Sequence, residues 1–354
     1  MCRGVGVRPR DLLGEPSPAS MNPPHAGHRR VTVLSPSRIH LGLLQLSAAA
    51  HPTINMGLGA ALTHPRWILD ATIASPGGLR VNRQPFAMAD DVVEAAETLL
   101  AVLADLFGRS GFQVRVVEGV PAHRGLGSKT SLLCGILAAA AALTGRRGEW
   151  PRHRPLTRRG GTSGIGINAA VQGGVILDAG HSEAPGDRTL GPSRQRVGRP
   201  IPVVAARWEI RRRPFLLAIP KDGGHLHGQQ EVDLFRANTP LPQAEVADLA
   251  ALVLYSLVPA LANQDASSVF RALELMQRLG MKSREWNAQP ARVHSLRRAF
   301  LEAGASCVAL SSMGPALAVF ASDPTAVGAR VGWLRDCQVL MTSVRNKGVV
   351  VWDH

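Results

Sequence analysis

Residues 120–143 read VPAHRGLGSKTSLLCGILAAAAAL and concentrate groups that could bind an anion. Gly125, Leu126 and Gly127 form a short loop, Ser128, Lys129, Thr130 and Ser131 follow at once, and an unbroken Ala-rich apolar run comes after them. A helix that begins here presents first-turn N–H groups without intrahelical partners, and its dipole adds fractional positive charge at the same place. Lys129 adds a full charge. A core helix needs only one capping hydroxyl, so three hydroxyls at its start favour a ligand over a plain turn. The spacing is not that of a P-loop, because Ser128 and His123 stand where that pattern requires glycines.

Three further stretches could share a site with this loop. In VTVLSPSRIHLGLLQL, residues 31–46, Arg38 and His40 lie two apart and so on one face of a strand. Residues 160–182 read GGTSGIGINAAVQGGVILDAGHS, with Gly161, Thr162, Ser163 and Gly164 at the start. Gly164, Gly166 and Ala169 satisfy a GxGxxA pattern, but arginines, glycines and a threonine precede it where a dinucleotide fold needs a hydrophobic strand. Residues 311–319, SSMGPALAV, place Ser311, Ser312 and Gly314 in a turn between two apolar segments.

The PxxxGLGS loop opening a helix resembles the second motif of the GHMP superfamily of small-molecule kinases. Residues 160–182 and 311–319, with the SRxHxG run at Arg38, His40 and Gly42, are similar to the β-ribofuranosylaminobenzene 5′-phosphate synthases, a GHMP-fold branch that does not phosphorylate, and to the C-glycoside synthases of the formycin and pyrazofurin pathways. The similarity runs from about Val31 to the C-terminus. It implies an α+β, two-domain GHMP-kinase fold, with a ribosomal S5 domain 2-like N-terminal domain over 31–210 and a ferredoxin-like C-terminal domain over 211–354, after a disordered extension at 1–30.

The kinases of this superfamily carry an Asp, in an S-G-(apolar)-D run, that acts as base on the hydroxyl to be phosphorylated; here the run is Ser163, Gly164, Ile165, Gly166. Without that base, phosphoryl transfer lacks a means to activate its nucleophile. The resemblance implies instead that 5-phosphoribosyl diphosphate occupies the anion site, with Mg²⁺, and that an aromatic carboxylic acid attacks its C1 through the carbon bearing the carboxylate. Loss of diphosphate and carbon dioxide follows, so the protein positions two anions rather than supplying a strong base at carbon. Arg38, His40 and Lys129 are then the catalytic candidates. The benzenoid synthases generally show a small residue in place of Lys129. An added cation there suits a second substrate carboxylate, which favours an amino- or hydroxypyrazole dicarboxylate acceptor, as in C-nucleoside antibiotic biosynthesis, over the 4-amino- or 4-hydroxybenzoate of the methanopterin pathway. Asn55 stands where the relatives usually have Asp. A homodimer is common in the branch.

The elements that must position these residues are legible as patterns. Residues 31–46 alternate and read as a strand pair; NMGLGA (55–60) follows a loop and leads toward a second strand over 67–74; 90–108 is an amphipathic helix with acids at its start, read as scaffold; and 111–118 is a strand feeding the anion loop. Residues 214–220 form a short buried strand, helices follow over 245–261, 265–279 and 291–303, and Lys282, Arg284 and Glu285 fall between them, where they either close over the substrate or, the preferred reading, form a solvated charge cluster. Strands over 304–322, a helix over 325–335 and strands over 339–344 and 349–352 close an α+β pattern.

At 354 residues and 45% hydrophobic content the chain can bury two cores, though only 4% is aromatic. Its net charge of +14 is uneven, with fourteen arginines against five acids over 142–215. A basic nucleic-acid-binding protein would explain that surplus but would need the aromatic stacking platform for single strands, and Tyr255 is the one tyrosine. Apolar runs look too short to span a membrane, and residues 1–16 lack a secretory apolar core, so a cytoplasmic enzyme is expected. Cys2, Cys134, Cys307 and Cys337 are too scattered for a zinc site or a disulfide framework. His225 and His227 alternate as metal ligands can, beside loop glycines that favour solvation.

Overall fold

The computed structural model describes residues 29–48, 53–81, 88–182, 190–191, 198–221 and 228–354. Cys2, His225, His227 and nearly all of the N-terminal extension lie outside them. The first element is a single strand, β1 (Arg30–Leu43), not the strand pair expected, because most of its length finds an antiparallel partner. After the two-residue strand β2 (Thr53–Ile54), that partner is β3 (Gly57–Ile73), which starts ten residues before the strand expected at Trp67. The glycines hid it: a Cβ at Gly57 would lie 2.4 Å from Ser163 Oγ, so this part of the strand is kept bare for a neighbour. The register between β1 and β3 shifts on both sides of Arg38–His40. Such bulges re-aim side chains, and here they bracket the two candidate side chains Arg38 and His40.

Strand β4 (Gly78–Val81), helix α1 (Asp90–Leu106), strand β5 (Phe112–Glu118) and helix α2 (Ser128–Leu143) continue the N-terminal part. Every residue of α2 but Lys129 is buried, as an apolar helix without a polar face must be, and it packs on β1, β3, α1 and a 3-10 helix over Arg147–Thr157. Helix α3 (Ile165–Gln172), β6 (Val175–Asp178), β7 (His181–Ser182) and β8 (Val204–Trp208) complete the layer. The main sheet runs β4–β5–β3–β1, with β6 paired to the first half of β3 and β8 to β6. Strand β7 pairs with β2.

From β9 (Pro214–Pro220) the chain passes through α4 (Gln229–Asn238), α5 (Gln243–Leu252), α6 (Val258–Ala262), α7 (Ala266–Met276), α8 (Gly280–Asn287) and α9 (Ala291–Glu302). It then forms β10 (Cys307–Leu310), β11 (Leu317–Phe320), α10 (Pro324–Arg330), β12 (Cys337–Ser343) and β13 (Val350–Asp353). A second, antiparallel sheet has the order β10–β11–β9–β12 and packs on Trp286, Val293 and Phe300. β13 returns to the first sheet, pairing Val31 with Asp353 through Leu34 with Val350, so the chain's end closes its beginning.

Two differences from the sequence reading concern helices. α5 and α6 join through a π-turn at Val253–Leu257 into 20 helical residues over 243–262, long and apolar enough to cross a membrane, contrary to the expectation of shorter runs. Glu245 in this segment accepts from Gly280 N at 2.8 Å and pairs with Arg284, which ties it to α8. The second difference is α8 itself. Lys282, Arg284 and Glu285 are not the solvated cluster between helices that was the preferred expectation; they form a helix, and Lys282 and Glu285 are buried in it.

Candidate active site

Two adjoining cavities gather most of the sequence candidates. The larger, a cleft of about 1610 Å³, is walled by Gly125 to Thr130, with Asp90, Asp91 and Glu94 of α1 opposite. Gly127 caps α2 with a left-handed backbone and no side-chain hydrogen bond, so the first N–H groups of this helix remain available to an anion. The loop is fixed from behind. Gly125 has φ +76°, and a Cβ on it would lie 2.1 Å from Ser311 O. Its carbonyl accepts from Ser311 Oγ at 2.6 Å and from Arg38 Nη1, while Ser312 N donates to His40 O at 2.8 Å. The turn between β10 and β11 thereby locks the anion loop to β1.

The smaller cavity, about 620 Å³ and partly open to solvent, is lined mostly by polar residues, with Leu43, Ile167, Phe235 and Met313 adding apolar surface. Arg38, Thr130, Arg159, Glu231, Ser312 and Met313 line both cavities, so the two meet along a wall carrying two guanidinium groups. Burial, with Arg159 nearby, lowers Arg38 to about 10, which still leaves it charged at neutral pH, and its Nε is buried without a partner. A buried cation with an idle donor on a cavity wall fits a carboxylate or phosphate ligand.

On the floor of the smaller cavity, His40 Nε2 meets Ser163 Oγ, and Ser163 Oγ donates to Asp178 Oδ2. Asp178 is fully buried and also accepts from Gly57 N, Gly164 N and Gly180 N at 2.8–3.0 Å. Burial nevertheless pushes its carboxyl up to about 6. Burial together with Arg38 and Lys282 holds His40 well below its ordinary value, hence neutral.

Of the residues expected in the site, Arg38, Thr130 and Ser312 reach both cavities. His40, Thr162 and Ser163 reach the smaller, and Gly125, Leu126, Gly127, Ser128, Lys129 and Gly314 the larger. Four act behind the walls. Ser131 Oγ donates to Gly127 O and Ser128 O within α2, Ser311 is the latch described above, Gly164 N caps Asp178, and Gly161 lies beside Thr162 without lining either cavity. Lys129 is not an idle cation. Its Nζ pairs with Asp91 Oδ2 at 3.1 Å, and His123 Nε2 lies 2.9 Å from the other oxygen. Partial burial pushes Asp91 up, but the two bases together hold it below its ordinary value.

Residues 91–174 match the family described as GHMP kinases N terminal domain. Over 332 residues, covering 90% of this chain and 98% of the other, the chain is 30% identical to a beta-ribofuranosylphenol 5'-phosphate synthase from Archaeoglobus fulgidus. The chain belongs to the beta-ribofuranosylphenol 5'-phosphate synthase family. A second such synthase, from Methanocaldococcus jannaschii, is 28% identical over 90% of this chain and 99% of its own length. Among solved structures, homoserine kinase from Cytophaga hutchinsonii superposes with a TM-score of 0.60 at 13% identity, covering 94% of this chain and all of that one. Mevalonate diphosphate decarboxylase from Staphylococcus aureus gives 0.62 at 11%, over 92% and 98%. The chain therefore has the GHMP fold, as the loop motif implied.

Sequence reasoning misses Asp91, Arg159, Asp178 and Glu231, and prefers a solvated reading for Glu285, which lines the smaller cavity. Asp91 was masked by its second role at a helix start, Arg159 by the arginines around it, and Asp178 by a strand whose other residues are apolar. Glu231 follows a glycine-rich loop in a polar helix and has no local signal. Glu285 had one: it lies three residues after Lys282, a spacing at which side chains meet on a helix.

Proposed function

We propose that the chain transfers a 5-phosphoribosyl group from 5-phosphoribosyl diphosphate to the carboxyl-bearing ring carbon of a 4-hydroxy- or 4-aminobenzoate, with loss of diphosphate and carbon dioxide. The family supports the class of reaction, since the name of the relatives' product describes a ribose 5-phosphate joined to a phenol. The observation that carries the reading is the shared wall. An open cleft bordered by the start of α2 adjoins a smaller, largely polar cavity in which Leu43, Ile167, Phe235 and Met313 supply apolar surface for a ring, and Arg38, Thr130, Arg159 and Ser312 stand between them. Donor phosphates in the cleft and a benzoate in the cavity would bring ribose C1 and the ring carbon together there, which is the main contribution an enzyme can make to such a coupling.

In this arrangement the N–H groups at the start of α2 and Lys129 hold donor phosphates, and Arg38 and Arg159 hold the acceptor carboxylate until it leaves as carbon dioxide. Among the described residues no three metal-binding side chains form a cage, but Asp90, Asp91, Glu94 and Glu231 line the cleft. Mg²⁺ ordinarily takes one or two carboxylates and completes its shell with substrate phosphate and water, so this wall fits Mg²⁺ arriving on the diphosphate, held by Asp91 or Glu231, where it would neutralise the leaving group's charge.

The structure changes the argument for the acceptor. The preference for a pyrazole dicarboxylate rests on an added cation at Lys129, but that ammonium is paired with Asp91 and lines the cleft rather than the smaller cavity. The remaining preference is for a monocarboxylic benzoate, in keeping with the family. Against a kinase reading, Gly166 brings no carboxylate to the position of the kinases' Asp, and the nearby Asp178 is taken up by four donors.

The test is to offer purified protein Mg²⁺, 5-phosphoribosyl diphosphate and an equimolar mixture of 4-hydroxybenzoate, 4-aminobenzoate and amino- and hydroxypyrazole dicarboxylates. Mass spectrometry should show a product equal to benzoate plus ribose phosphate minus carbon dioxide. A pyrazole adduct in its place would restore the dicarboxylate reading, and ATP consumption with no adduct would overturn both.

A further inference from the structure

Two carboxylates stand on the wall of the smaller cavity, and their settings differ. Glu231 belongs to both cavities and faces Arg38 and Arg159 near the boundary. Glu285 belongs to the smaller cavity alone and is 5% exposed. Its Oε2 is bonded by Lys282 Nζ, which also donates to Ser312 O at 2.9 Å. The helix that carries both is held in place by Gln289, whose Nε2 donates to Glu285 O at 3.0 Å and to Met313 O at 3.1 Å. A buried ion pair is a poor device for stability, because apolar residues of similar volume often serve as well. A buried carboxylate kept on the wall of a substrate cavity calls for another use.

Resting on the reaction proposed above, we infer that Glu285 is the base that takes the proton from the acceptor's para hydroxyl or amino group as its ring carbon attacks, with Lys282 as the residue that positions it. The ring carbon bonds to ribose C1 as the C1–diphosphate bond breaks. A lone pair on the para oxygen or nitrogen moves into the ring, and the proton on that atom passes to Glu285. The bond to the carboxylate then breaks, carbon dioxide leaves, and the electron pair restores the aromatic ring. The para atom, again electron-rich, takes its proton back from Glu285, and the enzyme is unchanged.

The other groups facing this cavity cannot do the same. His40 gives its Nε2 to Ser163, and Arg38 and Lys282 oppose a second proton on the ring. Arg38 and Arg159 are cations, and Glu231 is directed at them. Burial pushes Glu285 up despite Lys282, which brings a carboxylate closer to the acidity of the group it must deprotonate and return a proton to.

The test compares Glu285→Gln, Glu285→Asp and the double variant Lys282→Gln/Glu285→Gln with wild type, using 4-hydroxybenzoate and 3,5-difluoro-4-hydroxybenzoate at saturating donor. The double variant removes the lone buried ammonium that Glu285→Gln leaves behind. For both Gln variants kcat with 4-hydroxybenzoate should fall on the order of 100-fold or more. With the fluorinated acid, whose phenol is already ionised near neutral pH and needs no base, the loss should shrink to a few-fold. Glu285→Asp should fall less than Glu285→Gln with the first acid. Equal losses with both acids, or a loss confined to KM, would overturn the assignment while leaving the reaction intact. A wild-type protein that couples neither acid would overturn both.

Discussion

His40 Nε2 lies 3.1 Å from Ser163 Oγ, and because that hydroxyl donates to Asp178 at 3.0 Å it must accept from the ring. This fixes the proton of the neutral imidazole on Nε2 and joins β1 to the start of α3. Ser163→Ala should free His40 and take one of four donors from a buried carboxylate. A loss of about 1–3 kcal/mol in stability is expected, by denaturant titration, along with a several-fold rise in KM for the acceptor and little change for the donor. An unchanged acceptor KM would mean that His40 has no part in seating that substrate.

The Asp178 carboxyl carries a pH signature of its own. Burial raises it from 3.8 to about 6 in the folded chain, so between these values the folded protein binds a proton that the unfolded chain releases. The resulting stability is complete below about pH 4 and is lost as the pH rises through about 6. At about 1.4 kcal/mol per unit the change amounts to up to about 3 kcal/mol. Unfolding free energies of wild type and Asp178→Asn, measured from pH 4 to 7, should show the wild type losing ground to the variant as pH rises. The opposite slope would mean that the four donors outweigh burial.

The sequence made the anion loop legible because its residues act locally: two glycines, a run of hydroxyls and an apolar helix are contiguous. The same holds for the β10–β11 turn and for strand β9. What it could not show was pairing at a distance. Lys129 looks like a free cation until Asp91, 38 residues away, is brought beside it by the crossing of α1 and α2. Asp178 looks like the end of a strand until Gly57, Ser163, Gly164 and Gly180 converge on it. The charged run at Lys282–Glu285 reads as surface because composition does not reveal that β1 and the Ser312 turn cover it.

The placement of Lys129 in the cleft separates donor from acceptor effects. Lys129→Ala should raise KM for 5-phosphoribosyl diphosphate about tenfold, the low end for a charge-assisted hydrogen bond at a site open to solvent, and leave KM for the benzoate unchanged. Asp91 would lose its nearest cation at the same time, so the donor effect should depend more strongly on Mg²⁺ concentration than in wild type. Steady-state kinetics with each substrate varied in turn would check this. A rise confined to the acceptor would put Lys129 in contact with the benzoate and reopen the dicarboxylate reading.

Gly125 is the position at which stability and site geometry meet. Its φ of +76° costs any other residue about 1–2 kcal/mol, and the added Cβ would stand 2.1 Å from Ser311 O, a backbone atom that cannot turn aside. Gly125→Ala must therefore push the anion loop away from the β10–β11 turn. That breaks the bonds Gly125 O accepts from Ser311 Oγ and Arg38 Nη1, and with them the link between the cleft and β1. The expected result is a destabilisation above about 2 kcal/mol, with both substrates bound more weakly, since Arg38 lines both cavities. Calorimetry alongside donor and acceptor titrations would test it. A stable variant with normal donor binding would show that the loop does not need the Ser311 latch to hold its shape.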